Sequence, residues 1–278
     1  MHTNSDRTIL VPVLSTKQTL HALIQSYELA QLTKSKLILL GVETTRHPFN
    51  KQKFDSIVND ARTNSGVQVE TMVRDGHIFD EITKVADILN PLFIVIGISG
   101  KLSPTKLIGR NAFKLVRDSH HNVITVGGDR KLRTGFDKIL LPIDLDRESR
   151  EKVQRAVVFA KMFNSEIHII SITDHEDKLE DMKLKAYAEQ AEKYIKKQGI
   201  VCSTHTLLGD EDDIPETILN YGHTVDADLI IITSRDDLSF KEYILGTTAQ
   251  KLINESDLPV LSFRPLEHKD TTIGVKPY

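Results

Sequence analysis

Short apolar runs along the chain alternate with longer segments in which apolar residues recur at helical spacing. The runs LILLGV (37–42) and LIIIT (229–233) are almost continuously apolar, as expected for parallel strands that helices cover on both faces. Two helical stripes are predicted, one from Leu20, Leu23, Ile24 and Tyr27 and one from Val153, Ala156, Val157, Ala160 and Phe163. Strand and helix alternate about four times before a closing strand, which predicts a doubly wound α/β fold.

This pattern occurs twice in the chain. TILVPVL (8–14) matches KILLPID (138–144), with Pro12 and Pro142 in register 130 positions apart, and the shift grows to 137 by the last strand, as loop insertions would produce. We therefore predict two tandem domains, each an open parallel five-stranded sheet, at residues 1–130 and 136–268, with a loosely ordered tail at 269–278. The closing strands VITVGG and PVLSFR would leave bare apolar edges. We predict that these strands bring the halves together about a pseudo-twofold axis as an intrachain pseudo-dimer, and a true homodimer is compatible with this.

Composition and charge indicate a folded protein and disfavour nucleic-acid and membrane partners. The 278 residues are 40% hydrophobic and 27% charged, as in a folded domain. A net charge of −3 leaves no basic surplus for nucleic acid, and no apolar run is long enough to cross a membrane. The N-terminus has no signal-peptide core, and the single Cys202, predicted to be a small buried hydrophobe, excludes an intrachain disulfide. We expect a cytoplasmic protein without nucleic-acid or membrane partners.

Glycine-containing loops follow the fourth apolar run of each copy. In the first copy Gly97, Gly100 and Gly109 precede a predicted helix at 111–119. Glycines let backbone approach a ligand closely, and the N–H groups at a helix start attract phosphate. In the second copy Gly246 is followed by two threonines, also at a predicted helix start. Phosphate binding is one interpretation of each loop. The alternatives are a structural turn in the first copy and an ordinary helix cap in the second.

Together with the repeated plan and the strand ILLPID, these loops resemble the universal stress protein family over almost the whole chain, once per half. Nucleotide-binding members carry a first-strand Asp and a loop of Gly, two residues, Gly, nine residues, Gly, then Ser or Thr. The resemblance implies a Rossmann-like fold of the adenine nucleotide alpha hydrolase type, a role in the stress response as a regulatory or interaction module, and ATP or AMP as ligand. The ligand-binding residues that it implies are Pro142, Asp144, Gly209, Gly246, Thr247 and Thr248 in the second half, and Gly97, Gly100, Gly109 and Arg110 in the first.

Neither half carries the complete family motif. The first half has an eight-residue spacer, Arg110 in place of the small hydroxyl residue, and Leu14 in place of the first-strand Asp. The second half keeps Asp144 and the nine-residue spacer, but Thr233 and Asp236 stand at the two earlier glycine positions, and a carboxylate repels polyphosphate. We predict that binding is weak or absent, and that the second half holds the working site if either does.

Three alternatives remain open from the sequence. Asp144 contacts a ribose or base, or it caps the next turn. The protein is a nucleotide-binding module, or it is a scaffold that binds partners and no nucleotide. Catalysis is the least favoured, at most weak ATP hydrolysis, because no HxGH motif, Ser/His/Asp arrangement or carboxylate pair is present. The adjacent His120 and His121 lack ligand spacing, so no metal site is predicted.

Overall fold

The computed structural model describes residues 7–13, 17–44, 49–98, 115–117, 119–127, 135–173, 177–209, 213–233 and 244–264. The first half contains β1 (Thr8–Pro12), α1 (Lys17–Thr33), β2 (Lys36–Glu43), α2 (Lys51–Asn64), β3 (Val69–Asp75), α3 (Ile78–Leu89), β4 (Phe93–Gly97) and β5 (Val123–Val126). The second half contains β6 (Lys138–Pro142), α4 (Arg147–Phe163), β7 (Glu166–Thr173), α5 (Lys178–Lys197), β8 (Cys202–Leu208), α6 (Ile214–Thr224), β9 (Leu229–Thr233), α7 (Ile244–Glu255) and β10 (Val260–Phe263). This is the doubly wound α/β fold that the sequence predicts.

The ten strands form one sheet in the order β3-β2-β1-β4-β5-β10-β9-β6-β7-β8. Every pairing within a half is parallel, and each half repeats the same strand order. Pro12 and Pro142 both end the first strand of their half, opposite Leu40 and Ile170, which confirms the predicted equivalence of the two copies. The doubly wound order places helices on both faces, and two apolar clusters fill the layers between helices and sheet.

The halves meet through their closing strands, as predicted. β5 and β10 pair antiparallel, with Leu261 opposite Ile124, and this pairing makes the two five-stranded sheets continuous. Beyond the end of β5, a Cβ on Gly127 would lie 2.7 Å from the carbonyl oxygen of Ser256 in the other half. Only glycine fits this approach without displacing backbone, so Gly127 allows the halves to close together.

Aromatic side chains reinforce the junction on one face of the sheet. Phe93 of β4 lies 5.7 Å from Phe159 and 6.1 Å from Phe163, ring centroid to ring centroid, and both partners belong to α4 of the second half. Phe163 also packs at 4.9 Å against Phe136. These rings join the two halves through one apolar cluster rather than two separate cores.

The predicted apolar stripe is confirmed for α4 and partly wrong for α1. The five predicted residues of α4 are at most 5% exposed, whereas Leu20 and Ile24 of α1 are 45% and 41% exposed. α1 buries Thr19, Ala22 and Ser26 instead. Small hydroxyl residues can occupy a buried helix face because they bond to the preceding turn, as Ser26 Oγ does to the carbonyl oxygen of Leu23 at 2.6 Å.

Candidate functional site

The carboxyl ends of β6 and β9 form a crevice in the second half. These strands are neighbours in the sheet, but the chain leaves β6 toward β7 on one side and reaches β10 from β9 on the other. Such a reversal of strand order opens a gap between the following loops, where ligands of doubly wound sheets bind. Pro142 ends β6, Asp144 follows two residues later, and Thr233 ends β9. The structure therefore brings Asp144 and Thr233 to the same edge.

The carboxylate of Asp144 organises the turn between β6 and α4. Its Oδ1 accepts hydrogen bonds from Ser149 Oγ at 2.5 Å and from the backbone N–H of Asp146 at 3.1 Å. Ser149 Oγ in turn accepts from the backbone N–H of Asp144 at 3.1 Å. This is the capping role that the sequence left open as one alternative. These capping bonds use Oδ1 and do not involve Oδ2.

A buried lysine faces the second oxygen of that carboxylate. Lys152 Nζ lies 3.9 Å from Asp144 Oδ2, with the lysine side chain 9% exposed and the aspartate side chain 47% exposed. Burial alone would raise the pKa of Asp144. The Lys152 ammonium and the hydrogen bonds from Ser149 and Asp146 outweigh this effect and lower the pKa below its ordinary value. Asp144 is therefore ionised at neutral pH.

Sequence analysis missed Lys152, although its position carried a signal. Lys152 lies three and four residues from Ser149 and Ala156, two fully buried positions on the same face of α4. A charged residue in such a row needs a partner, because an unpaired buried charge is costly. The carboxylate at the end of β6 is within reach because long helical side chains lean toward the helix N-terminus.

A groove of about 610 Å³ opens beside the same turn, between α4 and α5. Arg150 and Lys183 bring positive charge to it, and Asp146 and Tyr187 also line its wall. Burial, with the Asp144 charge as a second cause, raises the pKa of Tyr187 to about 12. The Tyr187 hydroxyl is buried and has no hydrogen-bond partner among the described residues. The Asp144 turn is thus flanked by positive charge on the α4 side.

The remaining predicted residues fall at different places on the carboxyl edge. Gly97 ends β4 and is buried, and Gly209 follows the edge strand β8, where its N–H donates to the carbonyl oxygen of Thr173 at 3.1 Å. A Cβ at Gly209 would lie 3.0 Å from Thr217 Oγ1, so this glycine also serves close packing. Gly209 is two strands away from β6, roughly 10 Å, and does not adjoin Asp144 directly.

The two glycine loops themselves fall largely outside the described residues. α7 begins at Ile244, so Gly246, Thr247 and Thr248 lie in its first turns, at the helix start that the sequence predicts. The position of this helix between the carboxyl end of β9 and the start of β10 puts its N-terminus on the crevice edge. The other residues that the sequence analysis singled out lie outside the described residues. They are Gly100, Gly109, Arg110 and Asp236 in the loops, and Leu14, which stands in place of the first-strand Asp.

The described part of the chain contains no cluster of three or more His, Cys, Asp or Glu side chains that could hold a metal ion. His121, one of the adjacent histidines, instead pairs with Asp87 Oδ1 at 3.1 Å. Among the helices that the structure describes, none combines the length and the hydropathy needed to cross a membrane.

Comparison with known proteins finds a family match in the second half. Residues 135–264 match the universal stress protein family and thus contain a universal stress protein domain. The chain is 32% identical over 79 residues to stress response protein NhaX of Bacillus subtilis (strain 168), covering 27% of this chain and 48% of NhaX. It is 26% identical over 141 residues to universal stress protein MJ0531 of Methanocaldococcus jannaschii, covering 45% of this chain and 81% of MJ0531. The matched region therefore spans about half the length of NhaX.

The fold of the whole chain is also similar to that of a solved structure. A universal stress protein from Archaeoglobus fulgidus DSM 4304 superposes with a TM-score of 0.70 over 95% of this chain and 98% of that protein, at 20% sequence identity. At this identity the likeness concerns the fold, which extends over both halves.

Proposed function

We propose that the chain is a tandem universal stress protein whose second half binds an adenine nucleotide, ATP or AMP, weakly, and which acts as a regulatory or interaction module. The family match at 135–264 and the whole-chain likeness in fold support this proposal. The repetition of one strand order in both halves supports a first domain of the same kind. The β6–β9 crevice, at the switch point of the second sheet, is the proposed site.

Asp144 is the proposed ribose contact. Its Oδ1 is occupied by Ser149 and the Asp146 N–H, whereas Oδ2 faces Lys152 at 3.9 Å, beyond hydrogen-bond distance. Oδ2 therefore retains the capacity to accept a hydrogen bond from a ribose hydroxyl. The same ammonium keeps the carboxylate ionised, which strengthens that bond. This ionised, half-exposed carboxylate at the switch point is the observation that carries the proposal.

The phosphates would lie toward the start of α7. The backbone N–H groups in the first turn of a helix attract anions, and Gly246 lets a phosphate approach without meeting a Cβ. Two features of the sequence weaken the attraction, namely Thr233 in place of the first loop glycine and the negative charge of Asp236. We therefore place the affinity below that of a site with the complete motif.

Calorimetric titration of the purified chain with ATP and with AMP tests the proposal. We expect saturable binding that Asp144→Ala weakens by about tenfold or more, the equivalent of one charged hydrogen bond. Asp177→Ala is the matched control, because Asp177 also caps a helix start, accepting from the N–H of Leu179 at 2.8 Å, but it does so at α5. This control removes a cap of the same kind and should bind nucleotide as the wild type does. Its loss of stability should be smaller, because Asp144→Ala also leaves the buried Lys152 without its carboxylate.

A scaffold that binds no nucleotide is the second candidate, and the capping bonds of Asp144 favour it. A carboxylate that completes the turn before α4 has a structural reason to be there without any ligand. Failure to detect saturable binding of either nucleotide at millimolar concentration would contradict the nucleotide-binding proposal and leave the scaffold. Equal loss of binding in Asp144→Ala and Asp177→Ala would assign the effect to stability.

A further inference from the structure

The two outer edges of the ten-stranded sheet are formed by equivalent strands that differ in charge. β3 and β8 are the equivalent third strands of the two halves, and each ends the sheet on its own side. Their registers correspond residue by residue, because Glu43 pairs with Asp75 as Thr173 pairs with Leu208. Each position on one edge can therefore be compared with its counterpart on the other.

At four positions on or next to β3 a charged or polar residue corresponds to an uncharged residue on or next to β8. Asp75 and Arg74 on β3 correspond to Leu208 and Leu207 on β8. Further along, Glu70, which pairs with Lys36 at 2.9 Å, corresponds to Ser203, and the exposed Gln68 corresponds to Val201. The segment 198–209 contains no Asp, Glu, Lys or Arg. Charge on an edge strand is the usual protection against pairing with another strand, and β8 lacks it.

Exposed apolar side chains lie at the ends of β8, whereas its central positions His205 and Thr206 are polar where β3 has Met72 and Val73. Val201 and Leu208, at the two ends of β8, are 69% and 67% exposed. The helix beside them, α5, exposes Leu179, Met182 and Tyr194, whereas among the described residues of α2 and β3 only Val73 is a comparably exposed large apolar side chain. Apolar surface gathered along one edge indicates an interaction site.

The backbone of β8 has hydrogen-bonding groups directed outward. The carbonyl oxygen of Val201 accepts from the N–H of Ile167, and the N–H of Gly209 donates to the carbonyl oxygen of Thr173. Odd-numbered residues thus face β7, and the even-numbered residues from 202 to 208 point their N–H and C=O groups away from it. Within the described part of the chain, no strand pairs with that outer side of β8.

We propose that β8 is a docking edge for a second copy of this chain, which pairs its own β8 antiparallel about a twofold axis. In such a pair each strand end lies opposite the other end of its partner, so the exposed Val201 of one copy approaches the Leu207–Leu208 end of the other. The strand itself has no Asp, Glu, Lys or Arg, and the neighbouring charges of α5, Glu192 and Lys196, pair with each other at 2.6 Å, so the edge creates little like-charge repulsion between identical copies. The pairing between β5 and β10 shows that this chain already joins two sheets by antiparallel edge strands.

Sedimentation velocity of the full chain over a range of concentrations tests the proposal. We expect reversible dimerisation that Leu208→Asp weakens by about tenfold or more, because this change restores the charge that Asp75 supplies on the other edge. The matched control is Val73→Asp, at an exposed position of β3, and it should dimerise as the wild type does. If Leu208→Asp melts at a lower temperature than the wild type, Thr206→Lys at another exposed position of β8 replaces it.

Hydrogen exchange identifies the surface independently of any variant. Amides of 202, 204, 206 and 208 should exchange more slowly as protein concentration rises, while amides of β3 should not change. A wild type that stays monomeric at every concentration would overturn the proposal and leave a strand of a different protein as the occupant. A dimer that Val73→Asp weakens as much as Leu208→Asp does, or one without slower exchange in β8, would overturn it as well.

Discussion

Removing the Phe93 ring should uncouple the two halves of the chain. Phe93 is fully buried in the first half, and its ring neighbours Phe159 and Phe163 belong to the second half. Truncating a buried Phe to Ala costs about 3–5 kcal/mol, and each aromatic pair contributes about 0.5–1.5 kcal/mol of such a loss beyond simple burial. Phe93→Ala therefore removes a large part of a stability that is typically about 5–15 kcal/mol.

Urea unfolding followed by circular dichroism measures the effect. We expect a single transition for the wild type. Phe93→Ala should give two, each with a denaturant slope near half the original, because each half exposes about half of the surface. Leu229→Ala is the matched control, because Leu229 is fully buried at the equivalent position of β9, pairing with Ile139 as Phe93 pairs with Ile9. It should cost about 2–5 kcal/mol and keep one transition.

The coupling argument fails under two results. One is a Phe93→Ala protein that unfolds in a single transition, with an unchanged slope and a loss of less than about 1 kcal/mol. The other is a wild type that already unfolds in two steps, which would mean that the β5–β10 pairing and the aromatic cluster do not join the halves energetically. Phe93→Leu, which keeps most of the volume, should cost less than about 1.5 kcal/mol and retain the single transition.

Two further predictions follow from ionisable groups. Burial, followed by the Asp137 charge, raises the pKa of Glu28 against a hydrogen bond from the Gly135 N–H, so ionising this residue costs more in the folded protein than in the unfolded chain. Stability is then lost as pH rises from the unfolded pKa through the raised folded pKa. Glu28→Gln should therefore melt above the wild type at pH about 7 and equal it below pH about 4, and melting curves that match at both pH values would contradict this. Burial also raises the pKa of Cys202 to about 12, so a disulfide reagent should modify the native thiol about a hundredfold more slowly than the urea-unfolded one, and similar rates would show that the β8 face is open.

The internal sequence match between the two halves made the fold predictable. Matching Pro12 to Pro142 fixed equivalent strands, and the need to cover two apolar closing strands predicted the junction that β5 and β10 form. Both inferences depend on the strands, which are easy to recognise because burial on both faces makes them nearly continuous apolar runs. The buried face of α1 was harder to predict, because Thr19 and Ser26 are polar by type and yet are buried. Ser26 satisfies its hydroxyl by donating to the carbonyl oxygen of Leu23 within the helix.

The candidate site was predictable only in part. Family resemblance pointed to Asp144, and the switch point of strand order places Asp144 and Thr233 on one edge. The position of Lys152 on the predicted buried face of its helix carried a signal, but its partner did not. Tyr187 could not be assigned in advance, because it reaches the site from a helix whose rotation about its axis depends on the packing of the whole layer. A sequence period specifies which residues share a helix face, but the structure specifies which face meets the crevice.

The two halves differ at both members of the Asp144–Lys152 pair. At the positions of Asp144 and Lys152 the first half has Leu14 and Ala22, and Ala22 is fully buried. A lysine at this buried position without a carboxylate would cost several kcal/mol, since an unpaired charge has little compensation there. An aspartate without the lysine would lose the ammonium that helps keep its pKa low despite burial. The buried lysine therefore depends on the carboxylate, whereas the half-exposed carboxylate gains an ion-pair partner from the lysine. An ionised carboxylate accordingly stands at the switch point of the second half, whereas the sequence of the first half has apolar residues at both corresponding positions.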